Sequence, residues 1–82
     1  MIVNIGYGNS VLKEHVISLL KNEGAALRRY RSVVKDSCKL VDATSGHKTR
    51  SIIIMASDHI IMSAIAAETL ADRFNKTEIN QE

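Results

Sequence analysis

Ser57, Asp58 and His59 have the residue types of a hydrolytic triad. Three contiguous residues cannot place a nucleophile, a base and an orienting acid around one reacting atom. They are expected instead to form a turn, with Asp58 bonded to nearby backbone. The three histidines, His15, His47 and His59, show no H-x-x-x-H spacing and no cysteine partner at zinc-site spacing, so no metal site is expected. Cys38 is the only cysteine. It can form no intrachain disulfide, which fits a reducing compartment, and is expected as a small, buried or half-buried residue at a helix end. Gly6-Tyr7-Gly8 follows an apolar run, but the third glycine, the helix and the distant acidic residue of a dinucleotide site are not evident, and 82 residues are too few for a Rossmann domain. No convergent acid, base or nucleophile set points to an enzyme, and no cofactor or small-molecule substrate is expected.

Gly46-His47-Lys48-Thr49-Arg50 is more informative. Glycine lets an anion approach the backbone, and Thr44, Ser45 and Thr49 add hydroxyl donors beside the cations, so the loop has the parts of a phosphate-contacting finger. The G-x-x-x-x-G-K-[ST] spacing of a nucleoside-triphosphate loop is absent. The formal charge is only +2 but unevenly spread: residues 28–50 hold seven basic residues against Asp36 and Asp42, a balance of +5, and the rest of the chain sums to −3. A chain polarised in this way has a positive side, and such sides meet phosphate.

Those side chains need a frame. Residues 40–43 read as a strand, followed by the polar loop. The aliphatic runs 52–55 and 60–65 come next, separated at hairpin spacing by Ala56-Ser57-Asp58-His59. The basic loop is thereby held at the rim of a sheet. Residues 2–5 read as a strand ending in the Gly6-Tyr7-Gly8 turn. Residues 10–22 are ambiguous. Val11, Leu12, Val16, Leu19 and Leu20 fall on one helical face, with Ser10 to cap it and Gly24 to close it, yet 15–20 is also a short run suited to a strand; periodicity alone favours the helix. Residues 25–39 are the clearest helix, with Ala26, Leu27, Tyr30, Val33, Val34 and Ser37 or Cys38 inward and Arg28, Arg31, Lys35 and Lys39 outward. Like charges at that spacing repel by a few tenths of a kcal/mol per pair, a cost that an anionic partner relieves. Residues 66–74 form a short amphipathic helix, with Ala67, Leu70, Ala71 and Phe74 on one face and Glu68 favourable to its dipole. The reading is one domain over residues 1–75 and a polar tail over 76–82.

A domain of 82 residues is marginally stable alone, and association is the obvious supplement. At 45% hydrophobic and 24% charged, the composition is that of a globular chain, neither disordered nor rich enough in apolar runs for a membrane span. No basic stretch precedes Ile2-Val3-Asn4-Ile5, so a secretory signal is not expected and the expected compartment is the cytoplasm. Ile52, Ile53, Ile54 and Met55 are apolar on both alternating faces, as are Ile60, Ile61 and Met62, so both sheet faces must be covered. A homo-oligomer is the expected solution, and the alternative is that the N-terminal third folds across the second face.

Laid out in this order, the sequence resembles the RemA family, bacterial regulators of extracellular-matrix genes. The matching blocks are Asn4-Ile5-Gly6-Tyr7-Gly8-Asn9, Ala25-Ala26-Leu27-Arg28-Arg29, Leu40-Val41-Asp42-Ala43-Thr44-Ser45-Gly46, Thr49-Arg50, Ile53-Ile54-Met55-Ala56-Ser57-Asp58-His59, Ser63-Ala64 and Glu68-Thr69. The resemblance implies a small α+β domain with a mixed or antiparallel sheet of about five strands, one long and one short helix, assembling into a ring. It also implies that residues 15–20 are a strand, and that reading is adopted. It further implies a transcriptional regulator whose subunits face double-stranded DNA with basic residues, here His15, Arg28, Arg29, His47, Lys48 and Arg50. The family's arginines fall on His15, His47 and Lys48, and its prolines on Asn22, Ala26 and Ala67. The alternative reading is a divergent assembly or protein-interaction module with weak or no DNA binding.

Overall fold

The structure, a computed structural model, describes residues 1–34 and 38–79. In chain order it comprises β1 (Ile2–Gly6), β2 (Asn9–Leu12), β3 (Val16–Lys21), α1 (Ala25–Val34), β4 (Leu40–Asp42), β5 (Ser51–Met55), β6 (Ile60–Ser63) and α2 (Ala67–Ile79). A single 3-10 turn, Lys13–His15, joins β2 to β3. β1 and β2 form an antiparallel ribbon, and the other strands form a mixed sheet in the order β3-β5-β6-β4. The α+β class is the one expected, with six strands among the described residues divided between two sheets.

Helical periodicity misleads over residues 10–22. The segment is β2, the 3-10 turn and β3, and the strand implied by the family resemblance is present as Val16–Lys21. The deciding partners are remote: Val11 pairs with Val3, and Ser18, Leu19 and Leu20 pair with Ile54, Ile53 and Ile52. Burial against β-branched neighbours outweighs a local preference worth tenths of a kcal/mol per residue. The β5–β6 hairpin is as expected. It closes by backbone bonds from Asp58 to Met55 and from Met55 to His59, both 2.9 Å, with Asp58 at φ 72°.

Both helices depart from their expected limits. α1 is Ala25–Val34, residues 35–37 of the expected helix lie outside the described residues, and Cys38 and Lys39 are not helical. Cys38 takes a φ of 62° and is exposed, contrary to the expectation of a buried or half-buried residue at a helix end. Tyr30, expected inward, is 43% exposed, and Arg31, expected outward, is half-buried with Leu27 one turn before it, while the side chains of Ala26, Val33 and Val34 lie outside those described. α2 continues past Phe74 to Ile79, so residues 75–79 are helix and not tail. No glycine or proline interrupts that stretch, and Glu68 in the first turn and Lys76 in the last suit the dipole. On α2, Ala67 and Leu70 are buried and Phe74 half-buried, but Ala71 is exposed.

The β1–β2 ribbon lies across one face of the sheet, where Ile5 and Val11 bury with Ala43, Ile53 and Leu70. Ser63 Oγ donates to the Ile5 carbonyl at 2.8 Å in that core, and Arg73 reaches the Asn4 carbonyl at 3.0 Å. Gly6, at φ 105°, lets the ribbon approach closely, since a Cβ there would meet Ile65 Cγ1 at 3.0 Å. On the other face Ile52 and Ile60 are also fully buried, and Arg28, Arg31 and Ser32 of α1 border a cleft with Leu40 and Met62. The ribbon and α2 thus share one face and α1 borders the other, which differs from the expected pairing of both helices on one face. Apolar side chains that stay open include Ile2 at 70%, Ile17 at 66%, Leu12 at 47% and Val41 at 42% exposure. Among the described residues no helix is long and apolar enough to cross a membrane.

Candidate nucleic-acid interface

The strand order places the basic loop. β4 runs parallel to β6, while β5, next in sequence, lies on the far side of β6. Residues 43–50 must therefore cross the C-terminal end of β6 to enter β5. Backbone bonds hold this crossing: Ala43 N–H donates to the Met62 carbonyl at 2.9 Å and Arg50 N–H to the Ser63 carbonyl at 2.8 Å. At the start of the loop, Asp42 Oδ1 accepts from the Thr44 hydroxyl at 2.6 Å and the Thr44 N–H at 2.9 Å. Thr44 is buried, and those two bonds, the hydroxyl first, hold the Asp42 carboxyl below its ordinary pKa.

The same end of the sheet collects cations from other elements. Lys21 pairs with Ser51 in the β3–β5 register, so the end of β3 stands beside the start of β5. Lys21, Asn22 and Glu23 share a cleft with Lys48, Thr49, Arg50 and the α2 residues Ala67 and Glu68. Lys48 and Arg50 are exposed. Lys21 Nζ lies 3.6 Å from Glu68 Oε1, a solvent-exposed pair of small energetic weight. Asn22 ties the loop to the rest of the molecule. Its N–H donates to the Arg50 carbonyl at 3.2 Å, its Nδ2 to the Thr49 carbonyl at 3.0 Å, and its Oδ1 accepts from Arg31 at 2.6 Å. Arg31 thus acts as a strut from α1 to the loop. Helical periodicity puts Arg31 on the outer face and no local pattern marks Asn22, so only the tertiary contact reveals either.

His47 stacks on Tyr7 from the β1–β2 turn, ring centroids 4.6 Å apart and planes 15° from parallel. Both are exposed and border a cleft of about 470 Å³ with Lys48, Arg50 and Ala64. Arg28 is exposed on α1 one turn before Arg31, with Arg29 exposed beside it. His15 lies elsewhere: its carbonyl accepts from Ala56 N–H at 2.7 Å, past the far end of β5 from Arg50. Six residues of extended chain put about 20 Å between these two positions. The structure thus brings Lys48, Arg50 and His47 together, places Arg28 and Arg29 on the adjoining helix, and leaves His15 at the opposite end among Leu12, Val41 and Met55.

That opposite end also holds Ser57 and His59, whose Oγ and Nδ1 are 2.6 Å apart in the exposed β5–β6 turn. The bond closes the turn, as does Lys39 Nζ donating to the Ser57 carbonyl at 3.1 Å. Among the described residues no three His, Cys, Asp or Glu side chains gather to hold a metal ion.

With the geometry in place, comparison with known proteins adds the lineage. The family described as RemA-like, extracellular matrix regulatory protein A-like, matches residues 2–74. A regulatory protein of Oleidesulfovibrio alaskensis is 48% identical over 94% of this chain and 92% of its own. One from Carboxydothermus hydrogenoformans is 48% identical over 98% and 91%, and one from Kosmotoga olearia 46% identical over 93% and 77%. These relatives carry the designation of regulator and not of enzyme.

Proposed function

The chain belongs to the RemA-like family of regulatory proteins, and from that premise we propose that it is a homo-oligomeric DNA-binding regulator of extracellular-matrix genes that grips duplex phosphates through its loop at residues 46–50. The observation that carries this reading is the convergence of Lys21, Lys48 and Arg50 on one sheet end, with the loop braced by Asn22 and Arg31. One copy offers too few cations for useful affinity in physiological salt, since each phosphate contact is weak and screened. Repetition of the patch in an assembly multiplies those contacts through effective concentration. Leu12, Val41 and Ile17, exposed away from the basic end, supply apolar surface for joining copies. In a head-to-tail arrangement the His15 end of one copy approaches the basic end of the next, the route by which all six candidate positions serve one DNA surface.

The test is a polarisation titration against random-sequence duplex across a salt series. Lys48→Ala or Arg50→Ala lowers affinity equally for all sequences and reduces the salt slope by about one per altered contact. Unchanged affinity and slope in both variants would remove the assignment. A second reading, an assembly module with little DNA affinity, is favoured by Glu23 and Glu68 in the same cleft as Lys48 and Arg50. Absence of duplex binding at low salt by an oligomeric protein would establish it.

A further inference from the structure

Among the described residues one aromatic pair stacks, and it stands in the open. Tyr7 is the tip of the β1–β2 turn, in a left-handed run in which Gly6, Tyr7 and Gly8 have φ of 105°, 53° and 79°. Three successive residues in that region hold the ring away from the ribbon and over the basic loop. His47 is held from below: its N–H donates to the Thr44 carbonyl at 3.0 Å, and its Nδ1 lies 3.2 Å from that oxygen, a bond that requires the proton on Nδ1. Thr44 is itself buried and anchored to Asp42. The lower ring is thus fixed by the loop and the upper by the turn, without help from the core.

Stacked rings usually serve packing, and then they are covered. Here Tyr7 remains 53% exposed although one of its faces lies against His47, so the stack leaves about half of the residue accessible. Lys48 and Arg50 border the same cleft, whose volume of about 470 Å³ is in the range of small-ligand sites. Phosphates of a closed duplex need only the cations. Duplex bases expose their edges and keep their faces in the helical stack, so an open ring face has nothing to meet there. An aromatic platform flanked by cations matches unpaired nucleotides, whose bases stack on rings while their phosphates meet basic side chains.

The geometry points to a stacking site for an unpaired nucleobase on Tyr7, its flanking phosphate held by Lys48 and Arg50. The ligand is a single-stranded segment or a free nucleotide, which share that chemistry. The inference rests on the nucleic-acid reading of the same loop and deepens it: the surface that grips duplex phosphate would also engage opened or unpaired strands.

Tyr7 and Tyr30 are the only tyrosines and the chain has no tryptophan, so in a Tyr30→Phe background Tyr7 emission reports the site alone. In that background a labelled oligothymidine and a duplex of equal length are titrated separately, with thymidine monophosphate as competitor. The expected result is quenching of Tyr7 emission by the oligothymidine and a roughly tenfold loss of oligothymidine affinity in Tyr7→Leu, with duplex affinity retained. Tyr7→Phe, which keeps the ring, retains affinity for both. Displacement by the monophosphate assigns the site to free nucleotides as well; its failure to compete restricts the site to strands. Duplex binding with no quenching, or an equal loss of both ligands in Tyr7→Leu, overturns this inference and leaves the duplex reading standing. Binding of neither ligand overturns both.

Discussion

At the scale of single residues, Asp42 does the least conspicuous and most testable work. A strand-end aspartate two residues before a threonine is a common turn signal, and here one carboxylate oxygen accepts both Thr44 donors. Asparagine keeps an acceptor oxygen for both Thr44 donors and loses only the charge, so Asp42→Asn is expected to cost at most about 1 kcal/mol in chemical denaturation at pH 7. The Asp42 carboxyl is held below its ordinary pKa in the folded chain, so its contribution is present above the unfolded value of about 3.9 and disappears as pH falls through the lower, folded one. Melting curves between neutral and strongly acid pH should therefore show less acid destabilisation in Asp42→Asn than in the parent; identical acid dependence would show that the bond carries no linkage. The basic residues of the loop were legible in the sequence by type. Which residues brace them was not, because Asn22 and Arg31 are ordinary polar residues until the fold puts them 2.6 Å apart.

At the scale of elements, the site belongs to a crossing and not to a strand or a helix. The loop at residues 43–50 lies over the end of β6 because β4 and β5 flank that strand, and Asn22, just past β3, fastens it by two bonds. Asn22→Ala removes no charge and keeps the backbone bond to Arg50, but loses the side-chain bonds to Thr49 and Arg31. It should weaken duplex binding several-fold while leaving the slope of affinity against salt unchanged, since the number of phosphate contacts is the same. A reduced slope in that variant would mean that loop order sets how many contacts form, and unchanged affinity would mean that the brace is idle. The helix expected over residues 10–22 and the strands found there differ for one reason. Val11, Leu19 and Leu20 satisfy either period, and their partners Val3, Ile53 and Ile52 decide between them.

At the scale of the whole molecule, a basic end and an apolar margin stand at opposite ends of one sheet. Leu12 and Val41 share a cleft with His15 and Met55, separate from the cleft that Lys48 and Arg50 line. The head-to-tail assembly proposed above would set this margin against a different surface of the next copy, which is heterologous association. Val41→Asp, on an edge strand and 42% exposed, should lower the mass found by analytical ultracentrifugation and weaken DNA binding far more than the loss of one phosphate contact does. A parent chain that sediments as a monomer at working concentration would defeat the assembly reading outright.

The α+β class, the β5–β6 hairpin with its four-residue turn, the strand before the basic loop and the family were all legible in the order of residues. Each rests on contacts close in the chain or on blocks of residues in fixed order. Three facts appear only in the folded chain: the N-terminal ribbon packs with α2 on one sheet face, His15 stands apart from His47, and Tyr7 stacks on the loop. Those facts depend on which strand lies beside which, a choice made by burial of Ile5, Ile53 and Leu70 together, and no local pattern encodes it.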